Sequence, residues 1–282
     1  MKVSDLGNKW FAVYKRCLYD FRMKDAAAIA TYYRPGKLYK YFSFSSEYWR
    51  QNVFNGEIAF NIPSNFNDPL DSRWFLDYER ILTDRFHDIG IEWSQEEYGP
   101  ISVELYEEDL MYLRNMFYVS CFSSTPYANL MWGHYADKHN GFCIEYDVSL
   151  LPREMQLILP VVYVDKPYDA SLILDMRGIT DRFAKLCPSL FKSIDWKYEK
   201  EWRSFIPNTN AGELHIVSAV NAITGVYFGL KCYGPERNEL EQWAEKQNIP
   251  RHQIERSYLS FDLISDNVED IRSRKKIKGI LI

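Results

Sequence analysis

The stretch DWKYEKEWRSF, residues 195–205, places Glu199, Glu201 and Arg203 two residues apart. In a strand that period sends all three to one face, with Tyr198, Lys200 and Trp202 on the other. Two carboxylates beside a guanidinium divide their ionisation: each carboxylate raises its neighbour's pKa and the arginine lowers it, so one stays charged while the other is poised for proton transfer. A helix would instead pair Glu199 with Arg203 at i, i+4. A solvent-facing strand edge would spend the same residues in ordinary salt bridges.

A second stretch, HYADKHNGFCIEYD (134–147), offers His134, Tyr135, Asp137 and His139. His134 and Asp137 share a helical face at i, i+3, whereas His139 lies five residues on and points elsewhere if the helix continues. The spacing is not H-E-x-x-H, and a metal would need distant ligands such as Asp68, Asp71 or Glu201, so no metal is favoured over a hydrogen-bonding role. On the following strand Cys143, Glu145 and Asp147 share one face, and Phe142, Ile144 and Tyr146 the other. FNDPLD (66–71) contributes Asn67, Asp68 and Asp71, residue types that bond their own backbone in turns. Tyr39, Lys40, Tyr41 and Ser43 supply aromatic faces and a cation for a nucleotide, or else one half-buried strand. No G-x-G-x-x-G, G-x-x-x-x-G-K-[ST] or G-x-S-x-G occurs, so Rossmann, P-loop and α/β-hydrolase sites lack support.

Elements must position these groups. The 282 residues, 46% hydrophobic and 16% aromatic, suffice for one substantial core. Helical spacing runs through residues 4–33 and stops at Arg34-Pro35-Gly36; strands are expected at 38–42, 57–60, 117–123, 141–147, 159–164, 201–205, 214–217 and 225–229. Further helices are expected from Ser45 or Ser46 through Val53, at 172–186 and at 235–246. The order reads as an α+β fold: a single mixed domain of short strands in one or two small sheets around a cleft, with helical additions. Its parts are an N-terminal helical extension (1–36), a core (37–265) carrying an acidic helical insertion (75–116), and a basic C-terminal tail (266–282).

A formal charge of −5 argues against a uniformly basic nucleic-acid surface, so nucleic acid is not the favoured partner. Five scattered cysteines without a C-x-x-C pair indicate neither a disulfide framework nor a cysteine-rich zinc site. No apolar run has the length of a signal peptide or membrane span. These features read as a soluble cytoplasmic protein with no membrane partner.

In order, LYKYFS (38–43), FNDPLD (66–71), SCFSS (120–124), LMWGHYADKHNGFCIEYD (130–147), WKYEKEWR (196–203) and VYFG (226–229) resemble a mainly bacterial family, domain-of-unknown-function family 2971, over about residues 37–230. Leu70 and Gly133 depart from it slightly, where Phe and a small polar residue are more frequent. The order of blocks is more remotely similar to compact ADP-ribosyltransferases, although the first strand has Tyr39, Lys40 and Tyr41 in place of the usual opening histidine or arginine. That likeness implies a cleft for NAD as substrate, with Glu201 the catalytic glutamate and Glu199 second. It also implies His134 at the cleft, Arg203 toward pyrophosphate, and Asn67 and Asp68 in a loop over the ligand. The implied activity is a transferase or NAD glycohydrolase, of the kind found in bacterial effectors and phage-defence toxins, with a macromolecular acceptor in the first case. A metal-dependent hydrolase or nuclease, and a non-catalytic nucleotide- or peptide-binding module, are the alternatives.

Overall fold

The computed structural model describes residues 3–72, 74–75, 114–169 and 182–268, with isolated positions between 83 and 111. The chain opens with two antiparallel-contacting helices, α1 (Trp10–Tyr19) and α2 (Met23–Tyr33). The single helix expected over 4–33 is broken because Phe21 takes a positive φ of 53° between them. Arg34 is extended before Pro35, as the proline ring requires, and ends α2. The helices do not stand apart as an extension. Tyr14, Cys17, Leu18, Ala26 and Ile29 are buried in the shared core, and the Tyr14 hydroxyl donates to the Pro160 carbonyl at 2.9 Å.

Next come β1 (Lys37–Phe42), α3 (Trp49–Phe54), β2 (Glu57–Asn61), β3 (Trp74–Phe75) and β4 (Phe117–Ser123). A short α4 (Asn129–Tyr135) leads into β5 (Phe142–Asp147), followed by β6 (Ile158–Pro160), β7 (Val162–Val164), β8 (Tyr168–Asp169) and β9 (Phe191–Ser193). The last elements are β10 (Glu201–Pro207), β11 (Leu214–Ser218), β12 (Ile223–Phe228), α5 (Pro235–Lys246), β13 (Arg251–Arg256) and β14 (Leu263–Asn267). The α+β class holds. The sheet is larger than the small sheets expected: ten strands in the order β11-β2-β4-β1-β5-β12-β13-β14, with β10 on β4 and β6 on β10, beside two-stranded pairs β3-β8 and β7-β9.

Sheet alternation sorts the side chains as their types require. From β1 and β5, Leu38, Phe42, Phe142, Ile144 and Tyr146 enter the main core, while Tyr41 and Cys143 face a second cluster with Trp132 and Tyr227. Strands β13 and β14 were not expected, since RHQIER and LISDN carry too little apolar alternation; pairing to β12 and to each other defines them. Expected strand 159–164 is divided at Val161. Most of the 75–116 insertion, of helix 172–186 and of the basic tail lies outside the described residues; at 182–190 the chain is a 3-10 helix that contains Pro188.

One geometric fact positions the site. β10 pairs with β4 along its whole length, from Glu201↔Ser123 to Pro207↔Phe117, leaving the opposite edge of β4 to two strands. β1 meets that edge at Tyr39↔Ser123 and β2 at Asn61↔Val119, so the two strands fork apart along the stretch between.

The sheet is closed around the HYADKHNG segment by two glycines. A Cβ on Gly141 would overlap the Phe42 carbonyl oxygen, and one on Gly229 the His139 carbonyl oxygen. Gly229→Ala should therefore lose stability by about 1–3 kcal/mol in urea denaturation. Gly133→Ala, whose Cβ meets nothing in helix α4, should match wild type or gain up to about 1 kcal/mol.

Candidate functional site

The fork opens a cavity of about 260 Å³ between β1 and β2. Tyr39, Lys40, Tyr41, Asn61, Asn67, Ser120, Tyr135, Lys192, Glu199 and Glu201 are among its lining residues, with Asp71 at its base.

Its floor is a buried ionic cluster built on Arg203, which is fully buried. Nη1 and Nη2 grip the two Asp71 oxygens at 2.8 and 2.7 Å, and Nε and Nη2 reach the Glu201 oxygens at 2.8 and 3.1 Å. Nη1 also donates to the Ser189 carbonyl at 2.8 Å, and the Phe66 ring lies 5.4 Å from the guanidinium carbon. Every nitrogen of the fork thus faces a protein acceptor. The expected reach of Arg203 to a ligand's pyrophosphate is corrected accordingly: it organises the floor instead.

Lys192 ties the second carboxylate to the first. Its Nζ donates to Glu199 at 2.6 Å and to Glu201 at 3.1 Å, and forms an ion pair with Asp71 at 3.2 Å. The short 3-10 helix Ile194–Glu199 and the left-handed Lys200 (φ 48°, ψ 49°) turn the chain into β10, so Glu199 precedes the strand rather than lying in it. Both glutamates still face the cavity. The shared wall expected from strand alternation exists, reached through a turn and a lysine from β9.

The two carboxylates are not equivalent. Burial would raise both, yet Arg203 and Lys192 hold Glu201 far below the usual range. For Glu199, burial and then the charge of Glu201 prevail over Lys192, and its pKa is raised. Asp71 is also depressed: burial opposes ionisation, and Arg203 overcomes it. The Tyr135 hydroxyl donates to Glu199 at 2.8 Å and accepts from the Asn67 amide at 3.2 Å. Burial and the nearby Glu199 push that phenol's pKa up, so it remains a donor. A chain of polar contacts therefore runs from Asn67 through Tyr135 and Glu199 to the ionic floor.

Other expected residues fall elsewhere. Asp68 makes an Asx turn, accepting from the Leu70 amide at 2.9 Å, and its part is to fix the turn that delivers Asp71. Ser43 bonds locally to Ser45. Tyr39 lines the cavity while donating to Glu145 at 3.1 Å, and Tyr41 donates to the Thr125 carbonyl at 2.9 Å. His134 is exposed against Trp196 and Tyr198, with ring centroids 6.4 and 6.1 Å away, and does not line the cavity. Helix α4 ends at Tyr135, and Asp137, Lys138 and His139 all have positive φ, so the expected His134–Asp137 helical face does not form. His139 stacks near Trp132 at 6.1 Å, outside the cavity. From the HYAD segment, the residue that reaches the site is Tyr135.

Lys192, Asn61 and Ser120 were missed. Lys192 had a signal: a lone cation in the apolar run Leu190-Phe191-Lys192-Ser193-Ile194 must find buried counter-charge or leave the core. Among the described residues no group of three His, Cys, Asp or Glu side chains could hold a metal ion. None of the helices among them is long and apolar enough to cross a membrane.

The ionic floor predicts an ordered set of stabilities. Removing one carboxylate from a buried pair costs about 3–5 kcal/mol, so Asp71→Asn and Glu201→Gln should be strongly destabilised in chemical denaturation. Glu199→Gln should lose less, because its ionised form is already disfavoured. The sign with pH follows. Asp71 and Glu201, with depressed folded pKa values, contribute stability that is full above the unfolded carboxylate pKa and lost as pH falls through the folded values. Glu199 acts oppositely, its ionisation costing stability as pH rises through its raised folded value.

Comparison with curated proteins and with solved structures returns no match. Residues 131–204 match a family model, a narrower span than the 37–230 of the sequence blocks, and the matched stretch contains Tyr135, Lys192, Glu199, Glu201 and Arg203. Over this central stretch, which supplies Lys192, Glu199, Glu201 and Arg203 of the ionic floor, the chain is similar to the family described as protein of unknown function (DUF2971).

Proposed function

We propose that the cavity cleaves an N-glycosidic bond of a small nucleotide, with NAD the leading substrate, as a glycohydrolase or an ADP-ribosyl transferase. The observation that carries this reading is the pair Glu199 and Glu201 on one cavity floor, bridged by Lys192 and pushed apart in ionisation. Glycosidic cleavage uses such a division of labour: fixed negative charge near a developing oxocarbenium ion, and a second carboxylate free to exchange a proton. Tyr39, Tyr41 and Tyr135 supply aromatic walls for a planar leaving group.

In this reading Glu201 keeps the charge-stabilising role expected of it and Glu199 handles the proton. Glu201 is gripped by Arg203 and Lys192, whereas Glu199 touches Lys192 and a phenol and its pKa is raised. In this reading the bond from ribose C1′ to the nicotinamide nitrogen breaks with its electron pair leaving on the ring. Water or an acceptor hydroxyl adds to the cationic carbon, and its proton passes to Glu199. Glu201 keeps the floor negative, and Tyr135 holds the Glu199 carboxylate in place. A bacterial effector or defence toxin would use such a reaction to deplete NAD or modify a macromolecule.

The test is nicotinamide release from NAD by the purified protein, with and without chelator, beside Glu199→Gln and Tyr135→Phe. Release that falls by 100-fold or more in Glu199→Gln and ignores chelator supports the reading; a general base contributes about 10²–10⁴-fold. Its rate should rise with pH through a raised Glu199 pKa, placing the acid limb above the ordinary glutamate value of about 4.3. Chelator-sensitive release would favour metal-dependent hydrolysis. Absence of release with NAD and a candidate acceptor lysate would favour a binding module.

A further inference from the structure

The mouth of the fork holds a cation of a different kind from those on the floor. Lys192 and Arg203 are each in contact with carboxylates, two cations against Asp71, Glu199 and Glu201. Lys40, on β1, is in no ion pair among the described residues: its Nζ donates to Ser120 Oγ at 3.1 Å and to the Cys121 carbonyl at 2.9 Å, and lies 5.2 Å from the Phe122 ring centroid. Ser120 and Cys121 lie on the length of β4 between its meeting points with β2 and β1, so the ammonium sits across the gap of the fork. An ammonium has three donors, and two are used. Across the gap Asn61, the β2 residue that pairs with Val119, also lines the cavity and is only partly buried. Its side-chain amide makes no hydrogen bond within the described residues.

Burial lowers the Lys40 pKa, so an anion that enters the cleft and favours the ammonium form gains a close charge partner there, and an unused donor beside it favours oxygen-rich anions. The cavity's volume of about 260 Å³ falls below the ~300–1,000 Å³ usual for drug-sized ligands, and so admits one nucleoside-sized unit rather than a whole dinucleotide. We infer that the fork is a phosphate-selecting subsite, in which Lys40 of β1 and Asn61 of β2 hold the phosphate of a nucleoside monophosphate unit whose sugar lies over Glu199 and Glu201. The substrate class is therefore the phosphorylated nucleotide, with the unphosphorylated nucleoside excluded by weak binding. This rests on the glycosidic reading for the identity of the sugar and base, but not for the anion.

The test compares nicotinamide mononucleotide with nicotinamide riboside, which differ only by the phosphate, by titration calorimetry on the full-length protein at low salt. Ribose 5-phosphate serves as a probe independent of any base. Wild type should bind the mononucleotide 10-fold or more tighter than the riboside, and added salt should weaken the difference. Lys40→Met should erase the preference and the binding of ribose 5-phosphate, whereas Lys40→Arg, which keeps the charge, should restore most of both. Thermal melts of each variant show whether it is folded. If Lys40→Met does not remain folded, Asn61→Ala and the salt dependence of wild type carry the test. Equal affinity for the two nicotinamide compounds, or phosphate binding indifferent to Lys40 and to salt, overturns the proposal. Failure of both nicotinamide compounds with Lys40-dependent binding of ribose 5-phosphate would sink the glycosidic reading and leave the anion subsite standing. Failure of ribose 5-phosphate as well would remove the subsite.

Discussion

A guanidinium with no solvent exposure must be matched donor by donor, and Arg203 imposes that condition on the centre of this molecule. Asp71 meets it from 132 residues away in sequence and Glu201 from the same strand. Two carboxylates around one guanidinium leave surplus negative charge, which Lys192 offsets. The same ammonium then accommodates Glu199, and Glu199 in turn orients Tyr135. Turn 66–71, helix α4, strand β9 and strand β10 are thereby fastened at one point. Each member is costly if left alone, so the cluster forms as a set.

That set is also what separates the two glutamates chemically. Glu201 shares both oxygens with fixed cations and stays ionised. Glu199, one residue before the strand, meets a single cation and a phenol while feeling Glu201 nearby, so burial and repulsion raise its pKa. The contrast depends on the left-handed Lys200, which swings Glu199 off the strand and away from Arg203. Above this floor, β1 and β2 meet one edge of β4 at different points, and the cavity between them is lined by both glutamates.

Some of this was legible in the sequence. Glu201 and Arg203 at i, i+2 in an aromatic, β-branched-poor run correctly predicted side chains on one face, because strand alternation is a local property of the backbone. Asn67, Asp71 and Tyr39 to Tyr41, which stand out in the sequence as polar groups in turn and strand contexts, line the cavity. His134 was drawn in by its chemistry alone; the three positive-φ residues that end its helix carry no side-chain signal strong enough to predict them, and they leave the imidazole outside the cavity. Lys192 stands out locally as a lone cation in an apolar run, but its partners, Asp71, Glu199 and Glu201, lie on other elements, so the sequence does not say which charges it meets.

The sequence by itself therefore determined the α+β class, most strand positions and the residue types available for chemistry, since these follow from periodicity, turn propensity and charge within a few residues. Tertiary structure decided which charges meet, which arginine is spent on the fold, which glutamate is raised, and where the sheet forks. Those outcomes depend on burial and on Coulomb interactions between segments far apart in the chain, and neither distance nor dielectric is written in the order of residues.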